Sequence, residues 1–424
     1  MVKAEELAAL VAHEIGDEAV KVGTPESAVA GVTPSVVVCP EDSAGVSRIL
    51  RLASDHRLGV LPTGAGTKLE WGTSPPRIDL LLSLCRLDAV VAHRQGDLTA
   101  TVQAGASLRS VNNLLQRQNQ WLPLDTSHPD LATVGGIVAT NDSGPRRHRY
   151  GAPRDLILGV TFVRADGEVA SAGGIVVKNV AGYDLSKLFT GSFGSLGVIL
   201  EATFKLAPLP LESRTVVAKG LDSVTVRKAV SAVTASQLVP SSLEVQGPPF
   251  SLLARFEGSQ HASERQAVEV VDLWHRCGVN SSILTGSAEV ECWRNHHDIV
   301  WGTVGDVCRL GLLQTDIPAI LDKFSILLRR HGSDGCVAGR AGIGVLHARL
   351  GTDAGVSRLI VEELRSMLAS SGGYVVLLRG TPELRANIDA WGPLGDAKRV
   401  MAAVKQQFDQ DGILSPGQWP TEEI

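Results

Sequence analysis

The sequence predicts an α+β protein with two domains, of which the first is built around glycine-rich loops. The chain has 424 residues, more than a single hydrophobic core usually serves. Its first half shows a strand–helix–strand pattern that is interrupted by glycine-rich stretches. Beyond the proline cluster Pro208–Pro210, helical and strand-like stretches alternate, which is typical of helices packed on a sheet.

The composition indicates a globular protein rather than a disordered one. Hydrophobic residues make up 44% of the chain and charged residues 20%, and the formal net charge is −5. This charge gives no electrostatic reason to expect a nucleic acid partner. No apolar run approaches the ~20 residues that span a bilayer. The first twelve residues resemble an amphipathic helix rather than a signal peptide, so we expect a cytoplasmic protein without a membrane span.

The cysteines exclude the common sequence motifs for zinc and iron–sulfur sites. None of the six has CxxC spacing with another, and they lie at Cys39, Cys85, Cys277, Cys292, Cys308 and Cys336. Scattered thiols in a long chain fit a reducing compartment, and no metal site is expected.

The first domain begins with a predicted parallel unit. Residues 36–38 form a buried strand, residues 43–56 a helix with Ser43 as its N-cap, and residues 60–61 the next strand. A glycine-rich loop, 62–68, follows at the carboxyl end of that strand, where α/β sheets place ligands.

The remaining elements follow from the same periodicities, and no internal repeat is evident. We expect a strand pair within 87–104, a helix at 107–119 with Leu114 on its apolar face, and strands at 156–164 and 198–206. In the second domain, the predicted helices are 223–236, 262–277, 317–331 and 353–371, and the strands 241–246, 251–257, 343–350 and 374–379.

Two glycine-rich segments suit a ligand with two phosphates. In 62–68, Gly64 and Gly66 permit a backbone nest for phosphate oxygens and Lys68 supplies a counter-charge, although on this motif alone a plain tight βα turn is the favoured interpretation. Leu69 occupies the place of the third glycine of a Rossmann fingerprint. We interpret 134–144 as a second loop that lies flat against an extended ligand.

The chain resembles the FAD-binding subunits of glycolate oxidases, in the p-cresol methylhydroxylase and vanillyl alcohol oxidase family. The stretches Asp130–Val160 and Gly173–Ile199 carry the resemblance, together with the tail Phe408–Gly417, where Ser415 replaces the more usual Asn. The resemblance implies a two-part FAD-binding domain and a ferredoxin-like α+β cap. The implied bounds are an N-terminal helix in 1–30, the FAD-binding domain 31–211, the cap 212–395 and a C-terminal segment 396–424 that returns to the FAD domain.

The resemblance also implies which residues bind FAD. The first loop and the second share the pyrophosphate, Thr140 and Asn141 lie near the ribityl chain or ring, and Val198 and Ile199 offer backbone groups to the adenine or flavin. The full set is Pro62, Thr63, Gly64, Ala65, Gly66, Thr67, Lys68, Thr133, Val134, Gly135, Gly136, Thr140, Asn141, Ser143, Gly144, Gly197, Val198 and Ile199. The first loop contains no His or Cys, so we expect noncovalent FAD. His128 is the nearest alternative anchor, with a surface loop position as its simpler interpretation.

Catalysis has fewer candidates. Catalytic relatives carry a His-rich metal motif that ends in Gly-Asp-Gly-Asn-x-His, whereas the corresponding stretch here is Gly342–Arg349 with one histidine. His347 and Arg349 share one face of a strand and are our catalytic candidates, a structural role being the alternative. Further candidates, for catalysis or for binding phosphate, carboxylate or a partner, are Glu244, Arg255, Arg379 and the cluster 146–149.

The resemblance implies an FAD-dependent subunit of a glycolate oxidase-like complex that oxidises small 2-hydroxy acids such as glycolate or D-lactate. Its partners would be a second flavoprotein subunit and an iron–sulfur subunit, through which it would associate with a membrane. Two alternatives stay open: a non-catalytic, FAD-containing assembly subunit, and a stand-alone 2-hydroxy acid dehydrogenase.

Overall fold

The computed structural model describes residues 3–175, 182–418 and 420. The stretch of the third glycine-rich region at 176–181 lies outside them. The helices within the described residues are α1 Ala4–Ile15, α2 Ser43–His56, α3 Leu108–Leu115, α4 Val134–Thr140, α5 Arg147–Tyr150, α6 Pro153–Leu156, α7 Leu185–Phe189, α8 Ser223–Thr234, α9 Gln260–Arg276, α10 Gly286–Asp298, α11 Ile317–His331, α12 Ala354–Ala369, α13 Pro382–Ala386 and α14 Ala397–Phe408. None of these is both long and apolar enough to cross a membrane.

The strands within the same residues are β1 Val20–Val22, β2 Val36–Val38, β3 Val60–Thr63, β4 Leu80–Ser83, β5 Val90–Arg94, β6 Thr99–Gln103, β7 Gln120–Trp121, β8 Ile157–Val163, β9 Val169–Gly173, β10 Val198–Lys205, β11 Ala207–Pro208, β12 Glu212–Leu221, β13 Ser242–Gly247, β14 Phe250–Gly258, β15 Ser281–Leu284, β16 Val307–Gly311, β17 Cys336–Arg340, β18 Val345–Arg349 and β19 Tyr374–Arg379. The mixture of helices and sheets confirms the predicted α+β class.

The chain forms two compact units. The first contains the residues up to Ser143, Ala152–Leu209 and the residues from Pro393 onward, and the second contains Gly144–Gly151 and Pro210–Gly392. The short segment Gly144–Gly151 thus belongs to the second unit, although the sequence placed it within the FAD-binding domain. The residues on both sides of it in the sequence lie in the first unit, so the local sequence pattern does not indicate that this segment belongs to the second unit.

The first unit contains two sheets of different character. One has the order β1-β2-β4-β3, with β2 and β3 both parallel to β4, as the strand–helix–strand pattern predicts. The other is antiparallel with the order β5-β6-β10-β8-β9. This is the two-part organisation that the resemblance implies.

Two local predictions in the first unit are wrong. The N-cap of α2 is Asp42 rather than Ser43, because the Asp42 carboxylate accepts a hydrogen bond from the amide of Gly45 at 2.7 Å. Helix α3 ends at Leu115, and Leu114 is 38% exposed rather than buried. Leu108, Val111 and Leu115 alone form its buried stripe.

The second unit is built on a single antiparallel sheet with the strand order β15-β12-β14-β13-β17-β18-β16-β19. Its first four strands occur in the chain order β12-α8-β13-β14-α9-β15, and its last four as β16-α11-β17-β18-α12-β19. Each half therefore has the βαββαβ connection of a ferredoxin-like fold, and the halves join where β13 pairs antiparallel with β17. The topology is duplicated although the sequence shows no repeat.

The two faces of this sheet differ in chemistry. Successive residues of a strand point to opposite faces, and in β13, β14 and β18 one set is apolar, including Val245, Leu252 and Leu346. These side chains share one core with apolar residues of α8, α9, α11 and α12, such as Val230 and Phe324. The other face carries charged side chains and is described with the site.

The C-terminal segment is fixed to the first unit by a buried lysine. Lys405 on α14 donates from Nζ to the Asp409 carboxylate at 2.7 Å and to the carbonyl oxygens of Ser195 and Leu414 at 3.0 and 2.9 Å. Asp409 in turn accepts the amide of Leu414 at 2.8 Å. The segment then runs beside β3, where the amide of Val60 donates to the carbonyl of residue 413.

Replacing Lys405 with Met tests this anchor. The change leaves the Asp409 carboxylate buried without its cation, so we expect unfolding of the first unit to become easier by about 3–5 kcal/mol. Urea unfolding of the purified chain measures the effect. Lys398→Met, an exposed position on the same helix, is the matched control and should change stability by less than about 0.5 kcal/mol. Equal stabilities for the two variants would contradict the anchoring role.

Candidate functional site

The first unit contains a cleft that both glycine-rich segments line. It encloses about 700 Å³ of space, a figure that includes its open mouth. The predicted cofactor residues that line it are Pro62, Thr63, Gly64, Ala65, Gly66, Thr67, Lys68, Thr133, Gly135, Gly136, Thr140, Gly197 and Ile199. The fold thus brings together residues from three separate parts of the chain.

The first glycine-rich segment leaves β3 as a turn pressed against the second. Gly66 has φ of 72°, a conformation that favours glycine. At Gly64 an added Cβ would lie 2.1 Å from Oγ1 of Thr133. Gly64 therefore serves the contact between the segments, while the backbone on either side of it lines the cleft.

The second segment is not the flat loop that the sequence suggested. It forms the two-turn helix α4, which starts after Thr133 and ends at Asn141, whose φ is 49°. An added Cβ on Gly135 would lie 2.7 Å from the Cβ of Ala104, whereas one on Gly136 would meet only Thr133 Oγ1, at 3.4 Å. Gly135 thus allows α4 to pack on the end of β6, and Gly136 leaves the cleft open.

A buried ion pair joins the two segments. Lys68 Nζ lies 3.4 Å from the Asp142 carboxylate, and both side chains are almost fully buried. The same carboxylate accepts hydrogen bonds from the amide and hydroxyl of Ser127, each at 2.9 Å. The sequence assigned Lys68 to a phosphate, but its ammonium group is already shared with Asp142 in this structure.

Five predicted cofactor residues lie away from the cleft lining. Val134 and Val198 are buried in the hydrophobic core, and Asn141 caps α4. Ser143 lies at the end of the first unit's segment and Gly144 begins the second unit's.

The cleft also has lining residues that the sequence did not indicate, namely Leu69, Leu84, Ala104, Ala139, Phe193, Gly194 and Gln418. Gly194 lies within the third glycine-rich region, so the glycine content of the sequence could have indicated it. Gln418 reaches the cleft through the C-terminal return and donates to the carbonyl of Leu69 at 3.1 Å. His128, the alternative covalent anchor, does not line the cleft, and its Nδ1 lies 3.1 Å from Ser127 Oγ.

The cleft fits a dinucleotide such as FAD. Small side chains dominate its walls, and the open space over Gly136 lets a ligand approach the backbone closely. Thr63, Thr67 and Thr140 are the threonines among its lining residues besides Thr133. When FAD is bound, the lining residues would hold its extended nucleotide against backbone amides.

The polar face of the second unit's sheet carries a buried network of charged side chains. Glu244 lies 3.1 Å from Nε2 of His296, and Nδ1 of that ring lies 2.6 Å from the Gln246 side chain. Oε1 of Glu244 is buried and has no hydrogen-bond partner among the described residues. Farther along the sheet, Arg255 stacks on Trp293 with its Cζ 3.8 Å from the ring centroid.

His347 lies in this network as a neutral ring. Its Nδ1 is 2.8 Å from Nη2 of Arg340, which can only donate, so Nδ1 accepts and Nε2 carries the proton. Burial lowers the pKa of His347 well below its usual range, and the positive charges of Arg340, Arg309 and Arg147 lower it further. His347 is therefore a hydrogen-bond donor at Nε2 near neutral pH.

Arg349 and the 146–149 cluster have structural partners within the second unit. Arg349 donates to the carbonyl of Ile299 at 3.1 Å and lies 3.4 Å from Asp334. Arg146 pairs with the buried Glu257 carboxylate at 2.8 Å. The cluster is therefore bound to the sheet and is not a freely solvated loop. Within residues 3–175, 182–418 and 420, no group of three or more His, Cys, Asp or Glu side chains is placed to hold a metal ion.

Gly136→Val tests the cleft. The new side chain meets little protein, so the chain should fold, but it fills the space in which the implied FAD would lie. We expect loss of most bound flavin, measured in the supernatant after acid precipitation, where noncovalent FAD collects. Gly96→Val, at a glycine with nothing within 4 Å, should keep full flavin content. A folded Gly136→Val protein with normal flavin would show that α4 does not contact the cofactor.

His347→Gln tests the neutral histidine. An unfolded histidine titrates near ~6.5 and the folded one lower, so below about pH 6.5 the unfolded chain binds a proton that the folded chain does not. The free energy of unfolding should therefore decrease as the pH is lowered, by about 1 kcal/mol between about pH 7.5 and 5.5. In His347→Gln this decrease should be absent.

Urea unfolding at both pH values measures the difference, with the exposed His275→Gln as the matched control. An unchanged pH dependence in His347→Gln would show that His347 is not held neutral.

Comparisons with known proteins agree with the geometry. A family model described as an FAD binding domain matches residues 34–183. The protein named glycolate oxidase subunit GlcD from Bacillus subtilis (strain 168) is 27% identical, over 91% of this chain and 88% of its own length. A probable mitochondrial D-lactate dehydrogenase from Danio rerio is 26% identical, over 95% of this chain and 89% of its own length.

The structure of p-cresol methylhydroxylase with substrate bound matches with a TM-score of 0.77, over 99% of this chain and 97% of that chain, at 15% identity. This likeness establishes the fold that the resemblance implied. Residues 34–183 form the matched FAD binding domain, and the cleft lies largely on those residues. The chain is therefore an FAD-binding oxidoreductase with the fold of p-cresol methylhydroxylase.

Proposed function

We propose that this protein oxidises a small 2-hydroxy acid, such as glycolate or D-lactate, to the 2-oxo acid, as one subunit of a glycolate oxidase-like complex. The similarity to proteins named for glycolate and D-lactate supports the substrate class. FAD, when bound, supplies the hydride acceptor for this chemistry. The complex would work in the cytoplasm, with any membrane association supplied by its partner subunits.

The observation that carries the substrate class is the excess of positive charge around His347. The guanidinium groups of Arg340, Arg309 and Arg147 all act on this ring, whereas the acidic Glu244 of the polar network is paired with His296. Arg309 pairs in register with His347 on the neighbouring strand, so both side chains point to the polar face. A carboxylate is the natural ligand of such a cluster.

Three side chains at this face have separate proposed roles in binding the substrate. The buried Nε of Arg309 lacks a hydrogen-bond partner within the described residues, and we propose that it donates to the substrate carboxylate. His347 donates from Nε2 to a second oxygen of the substrate. Arg340 acts as a positioning residue, because its bond to Nδ1 fixes which nitrogen of His347 carries the proton.

We propose that the partner subunits supply the base for proton removal, which this chain lacks in a suitable position. Removing the hydroxyl proton of a 2-hydroxy acid needs a base, and His347 has its lone pair directed at Arg340. Arg349, the other catalytic candidate, is already bonded to Ile299 and Asp334. These contacts favour work beside a second flavoprotein subunit, with electrons passed to an iron–sulfur subunit. They also favour, as the second candidate, an FAD-containing assembly subunit without its own turnover.

Anaerobic flavin bleaching tests the proposal. On adding excess glycolate or D-lactate, we expect slow or no bleaching of the isolated chain, because positioned proton transfer is worth about 10²–10⁴ in rate. The reassembled complex should bleach rapidly. Rapid bleaching of the isolated chain that is lost in His347→Ala would instead make it a stand-alone dehydrogenase. No bleaching of this chain's flavin even in a complex that turns over would favour the assembly subunit.

Arg309→Gln in the reassembled complex tests the carboxylate site. Loss of one charge-assisted hydrogen bond should raise KM by about tenfold or more. Arg329→Gln, at an exposed position on α11, is the matched control and should leave KM unchanged. Equal KM values for the two variants would remove Arg309 from the site.

A further inference from the structure

Two cysteines that are distant in sequence meet beyond the carboxyl ends of two neighbouring parallel strands of the first unit. Cys39 follows β2 and Cys85 follows shortly after β4, its parallel neighbour. Their Sγ atoms are 3.3 Å apart, although the residues are separated by 46 positions. Formation of a disulfide needs only a small approach of the two sulfurs, to ~2.05 Å.

The two thiols differ in access. Cys85 is exposed and Cys39 is half-buried. Burial raises the pKa of Cys39, the adjoining Cys85 thiol raises it further, and the nearby Arg86 lowers it. This asymmetry matches a pair in which an outer thiol meets an oxidant and an inner thiol completes the bond.

The loops that carry the pair are already held together and connect to the cleft. Arg86 and Glu41 form an ion pair at 2.8 Å across the same two loops. Leu84, the residue before Cys85, lines the cleft and donates its amide to the carbonyl of Thr63 at 2.8 Å. A covalent bond here would therefore restrain the strand ends from which the first glycine-rich segment departs.

We propose that Cys39 and Cys85 form a redox-active dithiol that closes to an intrachain disulfide and thereby slows release of FAD. The oxidant is a low-molecular-weight disulfide such as oxidised glutathione. The Cys85 thiolate attacks one sulfur of the oxidant, which forms a mixed disulfide and releases one thiol. The Cys39 thiolate then attacks Cys85 Sγ, which releases the second thiol, so that two electrons pass from the protein to the oxidant.

The first test follows the covalent chemistry in the FAD-loaded full chain. After incubation with oxidised glutathione, alkylation and mass spectrometry should show two thiols lost, no glutathione retained and a linked pair of Cys39 and Cys85 peptides. In Cys39→Ser, Cys85 should retain glutathione because nothing displaces it. Cys277→Ser, at a half-buried cysteine elsewhere, should behave as wild type. Glutathione retained on wild-type Cys85, or both thiols left free, would overturn the proposal.

The second test measures the effect of the disulfide on thermal stability and on FAD release. The oxidised chain should melt on the order of 5 °C higher than the reduced chain, because a cross-link that closes a long loop limits the unfolded state. FAD release, followed by flavin fluorescence on dilution, should be several-fold slower when the disulfide is present. Both effects should vanish in Cys39→Ser and Cys85→Ser. Equal release rates for oxidised and reduced wild type would overturn the link to the cofactor.

Discussion

The cleft depends on backbone segments that approach more closely than any side chain allows. Gly135 packs on Ala104, with its amide donating to the Ala104 carbonyl at 2.7 Å, and Gly64 packs on Thr133. A methyl group at Gly135 would push α4 away from the end of β6, and one at Gly64 would push the first glycine-rich segment away from Thr133. The Lys68–Asp142 pair reinforces the same contact. A pair this deeply buried gains little by itself, but losing one partner would leave an uncompensated charge beside the cleft.

The second unit separates its stability from its chemistry across one sheet. The helix-covered face supplies apolar packing through residues such as Leu346 and Phe324. The opposite face buries Glu244, His296 and Arg340, whose desolvation is costly and is only partly offset by their mutual contacts. Places where a fold keeps charges in its interior are frequently functional sites, which is consistent with the proposed role of this face.

The duplicated topology explains how this face is assembled. The first βαββαβ half contributes Glu244 and Arg255, and the second contributes Arg340 and His347. The register of β13 with β17 places Glu244 opposite Arg340, so the network crosses the seam between the halves. The sequence shows no repeat because each half needs only apolar residues at alternate strand positions, a requirement that many unrelated sequences meet.

The sequence by itself determined the α+β class, elements such as 43–56 and 317–331, and most of the cleft-lining residues, because periodicity and glycine content are local properties. It could not determine that 134–140 is helical, since short runs of small residues fit a helix or a loop equally well. Nor could it show that Lys68 pairs with Asp142 or that Cys39 meets Cys85. Those contacts join distant positions, and only the packing of strands and segments in the folded chain decides which of them form.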